Sequence, residues 1–278
     1  MRCDLWLKTA TAQLTAAEIS TARLDCLVLL EDILARDRAH LLAHPEYEIS
    51  TEQQAALKNL LTRRAGHEPL AYIRGRSEFY GRDFIISSSV LVPRPESEVI
   101  IELLLGLIQS ANDPVLPMPT AGYWRIADVG AGSGALGITA ALELPSACVE
   151  LLEISQAALA IANMNVVNMS SSILVTESDL LSHSTQANDI LLCNLPYVPD
   201  AYPINKAATH EPKIALFGGN DGLSLYRELF TQINNLAYQP LYILSEALPE
   251  THDQLAALAA MSGYSLQKTD HFGQLFSR

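Results

Sequence analysis

At 278 residues the chain is long enough for one large domain or two ordinary ones, and its 49% hydrophobic content can bury a full core, which excludes wholesale disorder. Lys and Arg number 18 against 31 Asp and Glu, a formal net charge of −13 that argues against a surface built to grip nucleic acid throughout. No apolar run reaches a membrane span, and Arg2, Asp4 and Lys8 break any signal-peptide layout. The four scattered cysteines (Cys3, Cys26, Cys148, Cys193), with no CxxC pair, read as reduced thiols of a cytoplasmic protein without a metal site.

Residues 4–65 read as a small helical bundle. Ala, Leu, Glu and Gln dominate, and Leu24, Leu27, Val28, Ile33 and Leu34 recur at helical spacing. Ser50-Thr51-Glu52-Gln53 is a helix start, and Gly66 with Pro69 ends the last helix. Between Lys58 and Arg94 stand seven basic residues (Lys58, Arg63, Arg64, Arg74, Arg76, Arg82, Arg94) against three acidic ones (Glu68, Glu78, Asp83). Two readings stay open for this excess, a solvated helix end and loop or a docking patch for an acidic partner. Next, Phe84–Ile86 and Val90–Val92, on either side of three serines, predict a β-hairpin. Pro95 with Glu96 and Glu98 suits the first turn of a helix running to about Gln109, and residues 110–123 read as a surface loop.

From Trp124 short apolar strands alternate with helices. Strands are expected at Arg125–Val129, Cys148–Glu153, Ile173–Glu177, Ile190–Asn194, Leu241–Glu246 and Tyr264–Thr269, with a last one at Gly273–Ser277. Helices are expected at Leu136–Leu144, Gln156–Met169, Ser224–Ala237 and Glu250–Met261. This alternation predicts an α/β fold with a mostly parallel sheet covered on both faces.

Two segments carry chemistry. Asp128-Val-Gly130-Ala131-Gly132-Ser133-Gly134 is a strand running into a glycine turn and a helix, where a backbone can close on a ligand. Glu153, ending the next strand, offers a carboxylate to a ribose diol. Asp179 can accept from an adenine amino group or cap a helix, and Leu180 can pack on the ring. Gly132-Ser-Gly134-Ala-Leu-Gly137 also fits the dinucleotide pattern, so this loop alone leaves a nicotinamide cofactor open. The second segment is Asp189–Pro199. A buried strand stops at Asn194-Leu195-Pro196-Tyr197, and Pro196 cannot continue a ladder, which places Asn194 at the carboxyl end of a central strand, where open α/β sheets bind ligands. His210 and Glu246 are weaker candidates, a surface-loop histidine and a strand-end carboxylate.

Taken together, the glycine turn, the acid after strand two, Asp179 after strand three and Asn-Leu-Pro-Tyr after strand four resemble the class I methyltransferases that use S-adenosylmethionine. Asn-x-Pro-Tyr resembles the subset that methylates planar nitrogens of adenine, cytosine or glutamine. The stretch Arg63 to Gly81, the segment Pro93-Arg94-Pro95-Glu96-Ser97-Glu98, and Glu211-Pro212 with Gly218 to Leu223 resemble the release-factor glutamine methyltransferases over nearly the whole chain. Three positions depart from that pattern: Leu195 replaces the first Pro of Asn-Pro-Pro-Tyr, Glu153 replaces Asp, and Leu180 replaces an aromatic residue.

The resemblance implies a Rossmann-like, seven-stranded class I methyltransferase domain over 96–278. It also implies an N-terminal helical substrate-recognition domain over 1–69 and a β-hairpin linker over 70–95. Implied catalytic positions are Asn194, Leu195, Pro196 and Tyr197. Implied cofactor positions are Gly130, Ala131, Gly132, Ser133, Gly134, Glu153, Asp179, Leu180 and Asn194. The implied cofactor is S-adenosylmethionine, leaving as S-adenosylhomocysteine. The implied partner is a peptide chain release factor, methylated on the Gln of its Gly-Gly-Gln loop by a cytoplasmic monomer. The rival readings are a nucleic-acid adenine N6-methyltransferase using the same Asn-Leu-Pro-Tyr site, an NAD-dependent oxidoreductase, and a non-catalytic cofactor-binding scaffold.

Overall fold

A computed structural model of the chain describes residues 1–110, 119, 121–169 and 171–278. The surface loop expected at 110–123 falls for the most part outside the described residues. The chain divides into two compact units, Met1–Gly75 with Asn205–His210, and Arg76–Ile204 with Glu211–Arg278.

The first unit is helical: α1 (Cys3–Ala16), α2 (Ala22–Leu34), α3 (Arg38–Ala43), α4 (Thr51–Ala65) and α5 (Leu70–Arg74). Ser50 and Gln53 form a reciprocal capping box at the start of α4. The core gathers Trp6, Leu14, Cys26, Leu29, Leu30, Leu57 and Ile73. The buried stripe of α2 is thus offset from the expected one. Leu27 and Leu34 are buried, but Leu24 is exposed, because Cys26, Leu29 and Leu30 face α1 and α4 instead.

The basic excess is cancelled where it stands. In this unit Arg63 pairs with Glu68 at 2.5 Å, Arg64 with the buried Asp25 at 2.7 Å, and Arg74 with Asp32 at 2.6 Å. In the second unit Arg76 pairs with Asp83, Arg82 with Glu143, and Arg94 with Glu211. Six of the seven cations therefore meet a carboxylate, which removes the positive field on which a docking patch for an acidic partner depended.

The second unit opens with a hairpin, β1 (Arg76–Phe79) against β2 (Arg82–Ile85). This corrects the expected pairing of Phe84–Ile86 with Val90–Val92. Tyr80 and Gly81 both adopt positive φ (51° and 72°), as a two-residue type I′ connection requires, and that turn matches the strand twist. The register sets Phe79 and Phe84 on one face, both buried, with ring centroids 6.2 Å apart.

A short 3-10 turn, Pro95–Ser97, leads into α6 (Glu98–Ser110). Then follow β3 (Arg125–Val129), α7 (Ala135–Glu143), β4 (Cys148–Glu153), α8 (Gln156–Asn168), β5 (Leu174–Glu177), β6 (Ile190–Cys193), α9 (Ser224–Asn234), β7 (Tyr242–Glu246), α10 (His252–Met261), β8 (Ser265–Asp270) and β9 (Gly273–Ser277). The seven-stranded sheet has the order β5-β4-β3-β6-β7-β9-β8, with β9 antiparallel to both of its neighbours and the five strands from β5 to β7 mutually parallel. Both faces are covered. Ile126, Ile190 and Leu192 pack with α6, α7 and α8, whereas Ala127, Val129, Leu191 and Cys193 pack with α9 and α10. That two-sided burial is why these strands read as continuous apolar runs. No helix among the described residues is long and apolar enough to cross a membrane.

The strand order reverses between β3 and β6. From β3 the chain steps outward through β4 to β5, then returns to lay β6 on the other side of β3. Neighbouring strands lie about 4.8 Å apart, and Val129 registers with Cys193. The next residues on the two strands are Gly130 and Asn194, so the switch point sets both key segments on one sheet edge.

Candidate active site

A cleft at this edge encloses about 1100 Å³ of non-protein space, its solvent mouth included. Its walls bring together Gly130, Ala131, Gly132, Ser133, Glu153, Asp179, Leu180, Asn194, Leu195 and Pro196. Two of the expected site residues stand behind the walls. Gly134 is the left-handed residue opening α7, and Tyr197 turns its hydroxyl into the protein.

The glycine turn is held from below. Gly130 and Ala131 donate their N–H groups to the Leu152 carbonyl at 2.8 and 3.0 Å. Glu153 spans the turn and the start of α8, its Oε2 accepting from Gly132 N and its Oε1 from Ser155 N, both at 2.8 Å. Carboxylate oxygens carry further lone pairs, so the group retains acceptors for a ligand hydroxyl. Asn165, wholly buried on α8, donates to the Ser133 carbonyl at 2.9 Å and brackets the backbone of Ile85 from both sides. A lone asparagine inside a helix carries no sequence signal for such a role.

On the adjoining wall, Leu180 sits at φ 50°, a strained conformation for a leucine. It is sustained by Ser178 Oγ donating to the Leu180 carbonyl, and by Gln232 of α9, which accepts from Leu181 N at 2.8 Å and donates to the Asp179 carbonyl at 3.3 Å. No helix begins at Asp179, which disposes of the helix-cap alternative. Ile154, about half exposed, also lines the cleft.

Asp128 lines the cleft although it is almost fully buried, and its Oδ2 accepts from Gly137 N at 2.8 Å. Burial, reinforced by the nearby Glu153 charge, pushes its carboxyl up to about 7. Folding thus raises this group above its ordinary 3.8. The folded chain keeps a proton that the unfolded chain gives up between about pH 4 and 7, and ionisation lowers stability through that window. The variant Asp128→Asn, which keeps an acceptor for Gly137, is expected to stabilise the ligand-free protein increasingly from pH 4 to 7, by on the order of 2–4 kcal/mol at the plateau. Urea midpoints at pH 5 and pH 8 measure this, and equal shifts at both would contradict it.

Asn194 donates through Nδ2 to Ser97 Oγ at 2.8 Å, which leaves Oδ1 as its uncommitted acceptor. Ser97 is buried in the 3-10 turn before α6. The preceding segment is fixed by Glu211, a buried carboxylate that accepts from Val92 N at 3.2 Å and pairs with Arg94. Behind Asn194, the Tyr197 hydroxyl donates to Glu246 Oε1 at 2.7 Å. Tyr226 shares its hydroxyl between the Glu246 carbonyl (2.6 Å) and the Cys193 carbonyl (3.0 Å), stapling the ends of β6 and β7. Burial and the neighbouring Glu246 push the Tyr197 hydroxyl well above its ordinary range, so it stays protonated. His210 is exposed, with its Nε2 3.1 Å from the Gly66 carbonyl. Sequence reasoning overlooked Asp128, Arg94, Ser97, Ile154 and Ser178 as wall residues. Ser97 and Arg94 lay in a motif noted only for its resemblance.

Comparison with known proteins adds three findings. Residues 6–75 match the family model described as "PrmC N-terminal domain", and residues 115–211 the one described as "Methyltransferase small domain". The chain is 36% identical over 230 residues to a "Release factor glutamine methyltransferase" of Koribacter versatilis, covering 81% of this chain and 79% of that one. It is 32% identical over 259 residues to the protein of that name from Coxiella burnetii, covering 92% and 90%. In structure it resembles the hMettl16 catalytic domain solved with a MAT2A 3′UTR hairpin, at a TM-score of 0.54 with 14% identity, covering 87% of this chain and 91% of that one. At that identity the likeness establishes a shared fold.

Proposed function

The chain belongs to the release factor glutamine methyltransferase family, and from this we propose that it transfers a methyl group from S-adenosylmethionine to the side-chain amide nitrogen of the Gly-Gly-Gln glutamine of a peptide chain release factor. The carrying observation is that Asn194, with Oδ1 uncommitted, opens into the same cleft as the glycine turn.

The cleft suits this cofactor. Gly130 holds φ 72° in the left-handed region, and a Cβ there would press on Leu195 Cδ2 at 3.1 Å. In this reading the backbone of 130–133 receives the methionyl end, Glu153 accepts from the ribose hydroxyls, and Asp179 with Leu180 and Ile154 receives the adenine. When bound, the cofactor supplies a methyl group activated by its sulfonium.

The chain's own contribution is orientation. An amide nitrogen is a weak nucleophile because its lone pair is delocalised. Asn194 Oδ1 and the Leu195 carbonyl each accept one amide N–H, which fixes the plane of the glutamine and leaves its nitrogen facing the glycine turn. Such positioning can supply several kcal/mol of the barrier, and acceptors aimed at the developing positive charge add to it. Leucine in place of proline at 195 keeps the carbonyl that this role uses. No base is needed beforehand, since the methylated amide sheds its proton readily. Pro196 and Tyr197 hold the loop, the latter through Glu246.

Residues 1–69 are assigned to release-factor recognition, 70–95 to a linker and 96–278 to methyl transfer, with the protein acting as a cytoplasmic monomer. The match over residues 6–75 and the relatives covering most of the chain favour a protein substrate over a nucleic-acid adenine. Incubating a purified release factor with the enzyme and labelled S-adenosylmethionine, followed by peptide mass spectrometry, is expected to find one added methyl on the Gly-Gly-Gln glutamine. An unmodified glutamine, or label on another residue, would overturn the proposal.

A further inference from the structure

Resting on the cofactor assignment above, we propose that Gln232 of α9 is a positioning residue that sets the affinity for S-adenosylmethionine by holding Leu180 in its left-handed conformation. Gln232 stands outside the cleft lining, so its effect has to pass through a residue that belongs to it. Leu180 is that residue. It is buried, lines the cleft, and is the first central residue of a turn closed by Ser182 N, which donates to the Asp179 carbonyl at 3.0 Å. At φ 50° it holds a place that Gly, Asn and Asp fill with less strain. A glycine would relieve the strain but would strip the adenine wall of its side chain.

The φ and ψ of Leu180 are rotations between two peptide planes, and both planes are pinned. Gln232 Nε2 donates to the Asp179 carbonyl at 3.3 Å, which holds the plane before Leu180. Gln232 Oε1 accepts from Leu181 N at 2.8 Å, and Ser178 Oγ donates to the Leu180 carbonyl at 2.8 Å, which together hold the plane after it. Backbone groups fix the direction of every bond, because an N–H only donates and a carbonyl only accepts. The Gln232 amide therefore has one orientation. Ser178 Oγ likewise accepts from His183 N at 3.0 Å and has its proton left for Leu180. One side chain on α9 thus bridges both planes, 51 and 53 positions along the chain from its partners. Without that bridge the turn can relax to negative φ. Only the molecules that keep the left-handed form then offer the adenine its wall, and the dissociation constant rises by the reciprocal of their fraction. The factor is the same for every ligand carrying the adenosyl group, and the transfer step is untouched.

The test measures equilibrium binding of S-adenosylmethionine and S-adenosylhomocysteine, with kcat and KM, for Gln232→Met and the wild-type protein. Methionine keeps the length of the side chain and removes both bonds. The variant is expected to bind both ligands about 10-fold more weakly, the scale of left-handed strain at a leucine. KM for the cofactor is expected to rise to match, while kcat at saturating cofactor and KM for the release factor stay within about twofold. A double-mutant cycle with Leu180→Gly locates the effect. Glycine adopts positive φ without strain, so on that background Gln232→Met is expected to change cofactor affinity by less than about threefold. A Gln232→Met protein that binds the cofactor within about twofold of wild type, or that loses the same 10-fold on the Leu180→Gly background, or that loses kcat rather than affinity, would overturn the inference. Should Gln232→Met fail to fold, Ser178→Ala releases the Leu180 carbonyl instead, and wild-type cofactor affinity in that variant would overturn it equally. A wild-type protein that binds no S-adenosylmethionine would instead overturn the reading beneath it.

Discussion

Replacing Asn194 with Ala is expected to lower the methyl-transfer rate by about 10³-fold or more while leaving S-adenosylmethionine binding largely in place. The asymmetry follows from geometry. The walls assigned to the adenosyl end are built by Glu153, Asp179, Leu180 and the glycine turn, none of which is supported by the Asn194 side chain. What the variant loses is Oδ1, a side-chain acceptor at the carboxyl end of β6 that has no hydrogen-bond partner among the described residues. It also removes the donor to Ser97, but that hydroxyl can then accept from water entering the enlarged cleft. Single-turnover transfer to the release factor and equilibrium cofactor binding separate the two effects. Turnover within a few-fold of wild type would remove Asn194 from the mechanism. An equal collapse of binding would show that the residue serves the cofactor instead.

The second large effect is expected far from any reacting atom. Gly222 adopts φ 78°, and a Cβ there would lie 2.1 Å from the Tyr197 carbonyl oxygen and 3.0 Å from its carbon. Neither is the end of a flexible side chain. The variant Gly222→Ala therefore has to displace the backbone of the Asn-Leu-Pro-Tyr loop, in addition to strain in the left-handed region. A loss of about 2–4 kcal/mol in stability is expected, together with a marked fall in kcat as Asn194 and the Leu195 carbonyl move out of register. Gly263 provides the control. Its φ is 83°, but a Cβ there would meet nothing within 4 Å. Gly263→Ala is expected to destabilise by about 1–2 kcal/mol from backbone strain alone and to leave kcat unchanged. Thermal midpoints and kcat for both variants decide the matter. If the two behave alike, close approach at Gly222 is not what seats the loop.

Glu211 and Arg94 show how little of such a site travels in short sequence windows. The pair spans 117 positions, and its sequence signature is two separate short motifs. The same holds for the arginines once open to reading as a patch. Asp25 lies 39 positions from Arg64, Asp32 lies 42 from Arg74, and Glu143 lies 61 from Arg82. Charge counted along a window omits partners brought in by folding, so a local excess of seven cations over three anions became a set of ion pairs. The hairpin failed for a related reason. Val90–Val92 had strand composition, but Tyr80-Gly81 supplied the tighter turn, and Phe84 followed Phe79 into the core rather than pairing with the later run.

Read alone, the amino-acid order determined the strands and helices from Arg125 onward to within about three residues, because glycine and proline punctuate that stretch and because strands buried on both faces read as apolar runs. It also determined the chemistry on offer: a glycine turn, acids at or just after two later strand ends, and an asparagine halted by a proline. Only the tertiary structure decided that these meet. Strand order is set by which apolar faces can be buried together over long separations, and it placed β6 beside β3, so that Gly130 and Asn194 share one edge. Ser97, Asn165 and Glu246 then acquired their roles from neighbours 97, 80 and 49 positions away, a reach over which no local pattern carries information.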